Sequence, residues 1–165
     1  MVLNSLRGMV LGVMLIVSAA CGDREAARPN YTTVGQFDTT TVEVLTDTDT
    51  IVVRAEVAAN DDQRALGLME RRQLGANEGM LFVYDTVQDA ESAFWMYRTR
   101  IPLDIAFADS TGTIVAIRSM APCESPYPQS CPTYPAGARF QEALEMNRGW
   151  FARNGVEVGD RIRVR

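Results

Sequence analysis

The chain of 165 residues contains no histidine and no lysine: its sixteen basic residues are all arginine, set against twenty-one Asp and Glu for a formal net charge of −5. Without imidazole there is no Ser-His-Asp triad, no Cys-His pair, no His-ligated zinc and no proton switch of the usual kind near neutral pH. The chemistry left open belongs to carboxylates, tyrosine, Ser or Thr acting without His, and oxygen-ligated metals. An acidic chain with no basic cluster argues against nucleic acid as a partner, because phosphate binding needs Lys and Arg gathered on one face. Long apolar runs are missing too. The apolar stretch at residues 9–17 falls short of the roughly 20 residues that a helix needs to cross about 30 Å of hydrocarbon.

That short run nevertheless has a context. Arg7 precedes it, and Ser18-Ala19-Ala20 and then Cys21 follow, the order of charge, apolar core and small residues in a secretory signal. Ser18-Ala19-Ala20-Cys21 resembles the lipobox of bacterial lipoproteins, in which the cysteine is acylated and becomes the first mature residue, although Ser18 stands where Leu is common. Residues 1–20 are thus expected to be a signal peptide, and residues 21–38 a lipidated polar tether without apolar periodicity. Residues 39–165 then form one domain, exported and anchored to a bacterial membrane through lipid on Cys21, in the periplasm or outside the cell. Ordinary cleavage near Ala20 would instead leave the protein soluble.

Of three cysteines, Cys21 is assigned to the lipid, which leaves Cys123 and Cys131 to pair as a disulfide in an oxidising compartment. Their spacing is not that of a redox Cys-x-x-Cys pair, and two thiolates alone make a poor zinc site. No metal and no cofactor is expected.

Within the domain, period-two alternation predicts strands at 41–45 and 51–57, then at 80–84, 93–97, 104–108, 113–119, 140–145 and 161–164. Asn60 three residues before Gln63, with Asp61 and Asp62 in the first turn, predicts a helix over 61–69. Gly67 in that helix suggests close packing against a neighbouring backbone. Asn147 can cap a second helix that runs to Asn154. The fold class is therefore mainly β with two short helices, a compact antiparallel β sandwich or half-open barrel in a single domain.

A set of blocks in order carries a family resemblance. They are Glu56-Val57-Ala58, Arg64, Gly67-Leu68-Met69, Arg71, Gly79-Met80-Leu81-Phe82, Phe94-Trp95-Met96, Thr99, Ile101-Pro102-Leu103-Asp104-Ile105-Ala106-Phe107 and Gly112. Pro122, Tyr134, Glu145, Gly149-Trp150 and Gly159-Asp160 complete them. Over residues 55–164 the chain resembles the bacterial and archaeal family known as domain of unknown function 192. That resemblance implies a small, mainly β fold, often exported, and no established reaction. The family usually carries Lys-Asn where this chain has Tyr97-Arg98, so the positive charge moves one place along.

Several residues are candidates for a site. Arg71 can clamp a carboxylate with parallel bonds, either a ligand's or the protein's own, with Asp104 or Glu145 as the internal partner. Asp104, at the start of an apolar strand, is either a turn cap or buried ion pair, or else a general acid or base. Trp95 faces opposite to Phe94 and Met96 on a strand; with Tyr97 and Tyr134 it either lines an apolar pocket or packs beneath the proline-rich segment 122–135. The preferred reading is a non-catalytic pocket near Arg71, Trp95, Arg98, Asp104 and Tyr134 that binds a small ligand or an envelope protein. A rival is a hydrolase of envelope polysaccharide using Asp104 with Glu56 and Glu145, which requires two carboxylates facing one cleft. A third reading is a structural envelope protein without a small ligand.

Overall fold

The structure is a computed structural model and describes residues 37–165. The expected signal peptide at 1–20, Cys21 and the tether as far as residue 36 lie outside the described residues. The elements, in order, are β1 (Asp38–Leu45), β2 (Thr50–Ala58), α1 (Asp61–Leu66), β3 (Glu78–Gln88), β4 (Ala93–Trp95), β5 (Leu103–Ala108) and β6 (Ile114–Met120). After a 3-10 turn at Pro128–Ser130 come β7 (Thr133–Pro135), β8 (Phe140–Asn147), α2 (Trp150–Arg153) and β9 (Arg161–Val164).

Seven strands form one sheet in the order β6-β5-β8-β3-β2-β1-β9, and β4 pairs with β7 in a second, two-stranded sheet. The mainly β fold with two short helices is as expected, but the large sheet is mixed, not wholly antiparallel. β2 and β3 run parallel, with Glu56 opposite Met80, because α1 and the loop after it carry the chain back to the end where β2 began. The sheet curls without closing. Its outer strands share no ladder, yet Thr113 bridges Arg161, and Ile114 N and Ile162 N donate at 2.7 Å to Asp160 O and Gly112 O. This is the half-open barrel of the two architectures foreseen.

Strand alternation splits the core in two. One face of the curled sheet buries Val42, Val53, Leu81, Ala106, Leu144 and Met146 around Trp150 and Phe151 of α2. On the opposite face Met80, Phe82, Ile105, Phe107, Phe140 and Ala143 pack beneath the β4–β7 pair and the segment that follows β6. Phe94 of β4 meets Phe82 and Phe107 edge-on with ring centroids 4.9 and 5.5 Å apart, an arrangement that aromatic quadrupoles favour. Each large apolar side chain so buried is worth about 1.5–3 kcal/mol relative to exposure.

The helix ends differ from expectation in instructive ways. α1 starts with the foreseen capping box between Asn60 and Gln63 but stops at Leu66, three residues early, because Gly67 has φ +48° and leaves helical space. An added Cβ there would meet the Phe82 ring at 3.5 Å, a side chain and not the neighbouring backbone expected. α2 is shorter than predicted, and Asn147 does not cap it. The cap position is Gly149, in the left-handed region at φ +77°, and the side chain of Asn147 donates instead to Leu74 O and Gly75 O at 3.2 and 2.9 Å. The Cys123–Cys131 disulfide is formed as expected, with Cα atoms 5.8 Å apart.

Candidate functional site

Four residues stand in cross-strand register on the face beneath the β4–β7 cover: Glu56 on β2, Met80 on β3, Glu145 on β8 and Ile105 on β5. Two carboxylates therefore share one sheet face, separated by buried Met80, and their environments are opposite. Arg71 Nη2 donates to Glu56 Oε2 at 2.5 Å, at a place where both side chains still see solvent. Glu56 is thus the internal partner of the Arg71 clamp, in place of Asp104 or Glu145. Those two were ruled out by direction: Asp104 points to the other face, and no cation reaches Glu145.

Glu145 is 4% exposed, and its carboxyl makes no hydrogen bond with any described residue. It lines a slot of about 20 Å³ together with Arg64, Phe82, Phe94, Trp95 and Thr99. Arg64 borders the slot but is committed elsewhere, donating to Ala59 O and Val83 O at 2.7 Å and to Asp61 at 2.6 Å while lying over the Tyr84 ring. With no charge partner to offset desolvation, burial pushes the Glu145 carboxyl up to about 8, so that it is a neutral acid at pH 7.

Beyond the slot lies a second cavity. Glu70 and Arg98 both adopt left-handed backbone, φ +60° and +54°, a conformation that residues with a Cβ seldom accept outside constrained sites. They hold each other: Glu70 N donates to Arg98 O at 2.8 Å, Arg98 Nε donates to Glu70 Oε1 at 2.6 Å, and Arg100 reaches Glu70 Oε2. The two guanidiniums hold the Glu70 carboxyl below its ordinary range, chiefly by hydrogen bonding. Around this cluster is a cavity of about 390 Å³ lined by Tyr97, Arg98, Arg100 and, from the disulfide loop, Glu124, Ser125 and Pro126. Cys123 N donates to Thr99 O at 3.2 Å, so the disulfide loop is tied to the segment that carries both arginines.

The position of Arg98 explains a departure from the family pattern. Asn, which the resemblance implies at that place, enters left-handed backbone more readily than other L residues. At this place the chain needs the turn, and Arg98 makes it with support from Glu70.

The residues proposed for one pocket are distributed over several surroundings. Arg98 lines the larger cavity; Trp95, 41% exposed, lines the slot; and Arg71 borders a separate groove with Arg72 and Gln73. As alternation requires, Phe94 and Met96 turn inward while Trp95 turns outward, and its ring lies 5.6 Å from that of Tyr97. The Tyr134 hydroxyl accepts from Ala121 N at 3.0 Å and so anchors the start of the disulfide loop. Asp104, on the opposite sheet face, accepts from Ser119 Oγ and from Gly149 N, both at 2.6 Å. Among the described residues it has no ion-pair partner, and it fixes the left-handed glycine that starts α2. Asp104 thus lies on the face opposite Glu56 and Glu145, which share a face with Met80 between them, Glu56 paired with Arg71 and Glu145 lining the slot. Among the described residues no three His, Cys, Asp or Glu side chains gather as a metal site.

Sequence reasoning overlooked Glu70 and Arg100 entirely. The Arg98-Thr99-Arg100 spacing was a visible signal, but their shared partner lies 28 and 30 residues away, out of reach of any local pattern.

Comparison with known proteins gives a consistent picture. The profile of a family described as Uncharacterized ACR, domain of unknown function 192, matches residues 42–164. The chain is similar to the crystal structure of a candidate transcription regulator from Sinorhizobium meliloti 1021, with 30% identity and a TM-score of 0.69 over 78% of this chain and 95% of that one. It is likewise similar to a protein of unknown function from Novosphingobium aromaticivorans DSM 12444, with 32% identity and a TM-score of 0.70 over 84% and 94% of the two chains. No curated protein matches the chain.

Proposed function

Since this chain belongs to the uncharacterised DUF192 family, whose membership carries no reaction, we propose from its own residues that it is a membrane-anchored envelope lipoprotein whose domain binds a small anionic ligand. The observation that carries the binding reading is the cavity of about 390 Å³ beside Arg98 and Arg100. Its guanidiniums are pre-oriented by one carboxylate on a constrained turn, and each keeps N–H donors that Glu70 does not use. Arginine suits planar anions such as carboxylates and phosphates because its donors form a rigid fork. A site whose groups are already held in place loses less entropy on binding. Tyr97 supplies an apolar wall, and the stapled loop 123–131 closes one side.

The lipid anchor is supported by Arg7, the apolar run, and Ser18-Ala19-Ala20-Cys21. The description of the S. meliloti protein as a candidate transcription regulator finds no support in this chain, with its net charge of −5 and no lysine.

Thermal unfolding against a panel of small carboxylates, phosphates and neutral sugars tests the binding reading. A ligand at a hundred times its Kd adds about 2.7 kcal/mol and raises the midpoint by several degrees. The shift should occur with anionic compounds and vanish in a folded R98A/R100A variant; shifts that persist in that variant would place the ligand elsewhere. Loss of the protein from the membrane fraction on Cys21→Ala tests the anchor.

A further inference from the structure

We infer that the slot floored by Glu145 is a subsite for the carbonyl oxygen of an N-acyl group, borne by the same ligand whose anionic group lies by Arg98 and Arg100. The inference rests on the binding reading above and narrows it to acidic N-acylated ligands.

A buried polar group without a partner is rare in folded proteins and calls for one. Glu145 is 4% exposed on the wall of the slot, and burial without a compensating charge or hydrogen bond governs its carboxyl. At about 20 Å³ the slot admits one water-sized atom group, not a ring. Phe82, Phe94 and Met69 form apolar walls, which suit one uncharged oxygen and disfavour an ion. A neutral carboxyl in that setting donates a hydrogen bond, and its complement is an uncharged acceptor.

The two cavities are neighbours through one segment. Trp95 and Thr99 line the slot, while Tyr97, Arg98 and Arg100 line the larger cavity, and the Trp95 and Tyr97 rings lie 5.6 Å apart at the boundary. Half-exposed Trp95 offers a flat surface between an anion site and an acceptor site. An acidic N-acyl amino sugar carries the complement of each: an anion for the arginines, a ring face for Trp95 and an acyl oxygen for Glu145.

The charged and titratable groups facing Glu145 are Arg64 from α1 and Tyr84 from β3; β5 contributes Ile105, and Glu56 lies beyond Met80, paired with Arg71. Arg64 commits three of its five N–H donors to two carbonyls and Asp61, and the Glu145 acid proton adds a donor on the slot wall.

Calorimetric titration with N-acetylmuramic acid and with glucuronic acid, which is acidic but lacks the acyl group, tests the inference. Wild type should prefer N-acetylmuramic acid by roughly 2- to 12-fold in Kd, the range of one net hydrogen bond. Glu145→Leu should abolish that preference, and Glu145→Gln, which keeps an N–H donor, should retain it. Between pH 6 and 9 the preference should fall in wild type and hold in the Gln variant, a contrast that mere packing would not produce. Equal affinities in wild type, or a preference that survives Glu145→Leu, would overturn the slot; loss of both acids on Arg98→Ala would then leave the anion site standing. Affinities unchanged by Arg98→Ala, with the preference still lost in Glu145→Leu, would overturn the anion site and keep the slot. Binding of neither acid would overturn both.

Discussion

Glu145→Gln should make the protein more stable relative to wild type as pH rises. The folded state holds the Glu145 carboxyl at about 8 against an ordinary value of 4.5, because burial penalises its anion with no compensating charge. In the unfolded chain the same group ionises near 4.5. Below that value both states are protonated, and the neutral side chain carries no penalty. As pH rises from 4.5 to about 8 the unfolded state alone releases its proton, and stability is lost throughout that window. At 1.36 kcal/mol per pH unit the loss approaches roughly 5 kcal/mol, an upper figure because water entering the slot would relieve part of it. Gln has nearly the same shape and does not titrate. Urea unfolding of both proteins at pH 4 and pH 8.5 measures the difference directly. The variant should be near wild type at pH 4 and several kcal/mol more stable by comparison at pH 8.5. An offset between the two proteins that does not change with pH would refute the argument, for it would mean that Glu145 titrates alike in both states.

Three further outcomes follow from the same geometry. Asp104→Ala leaves Gly149 N–H and the Ser119 hydroxyl without their acceptor and should cost roughly 2–4 kcal/mol in urea unfolding, with no effect on binding of small acids. Arg98→Asn places a residue that tolerates left-handed backbone at φ +54°, so stability should stay within about 1 kcal/mol of wild type while anion affinity drops, as thermal shift would report. Replacing Cys123 and Cys131 by Ser should cost roughly 2–3 kcal/mol by loop closure, less whatever stiffness Pro126 and Pro128 already give the unfolded loop, and should weaken the ligand-induced shift.

How far the sequence could be read depended on whether the information was local. Alternation in residues 41–57 fixed the first hairpin and its facing residues, and the outward turn of Trp95 between Phe94 and Met96 followed from the same period. The Cys123–Cys131 pairing needed only a count of the remaining cysteines. The parallel step from β2 to β3 did not show, because a short helix and loop are compatible with either strand direction until the rest of the sheet is placed. Partner choice was equally hidden. Arg71 could have met any of three carboxylates, and register selected Glu56 by placing it on the covered face near the α1 loop. Glu145 resembled an ordinary strand carboxylate, since alternation reports which residues share a face and not that a second sheet covers that face. Asn147 had the chemistry of a helix cap, but the left-handed turn at Gly149 moved the helix start and released its amide to Leu74 and Gly75.

The central claim, that Arg98 and Arg100 form an anion site, is tested most directly by NMR titration of the arginine Nε–H resonances with N-acetylmuramic acid. The account predicts saturable shifts at Arg98 and Arg100, with Arg161 and Arg163 at the far edge of the sheet unmoved. Shifts confined to other arginines, or none at millimolar ligand, would contradict it.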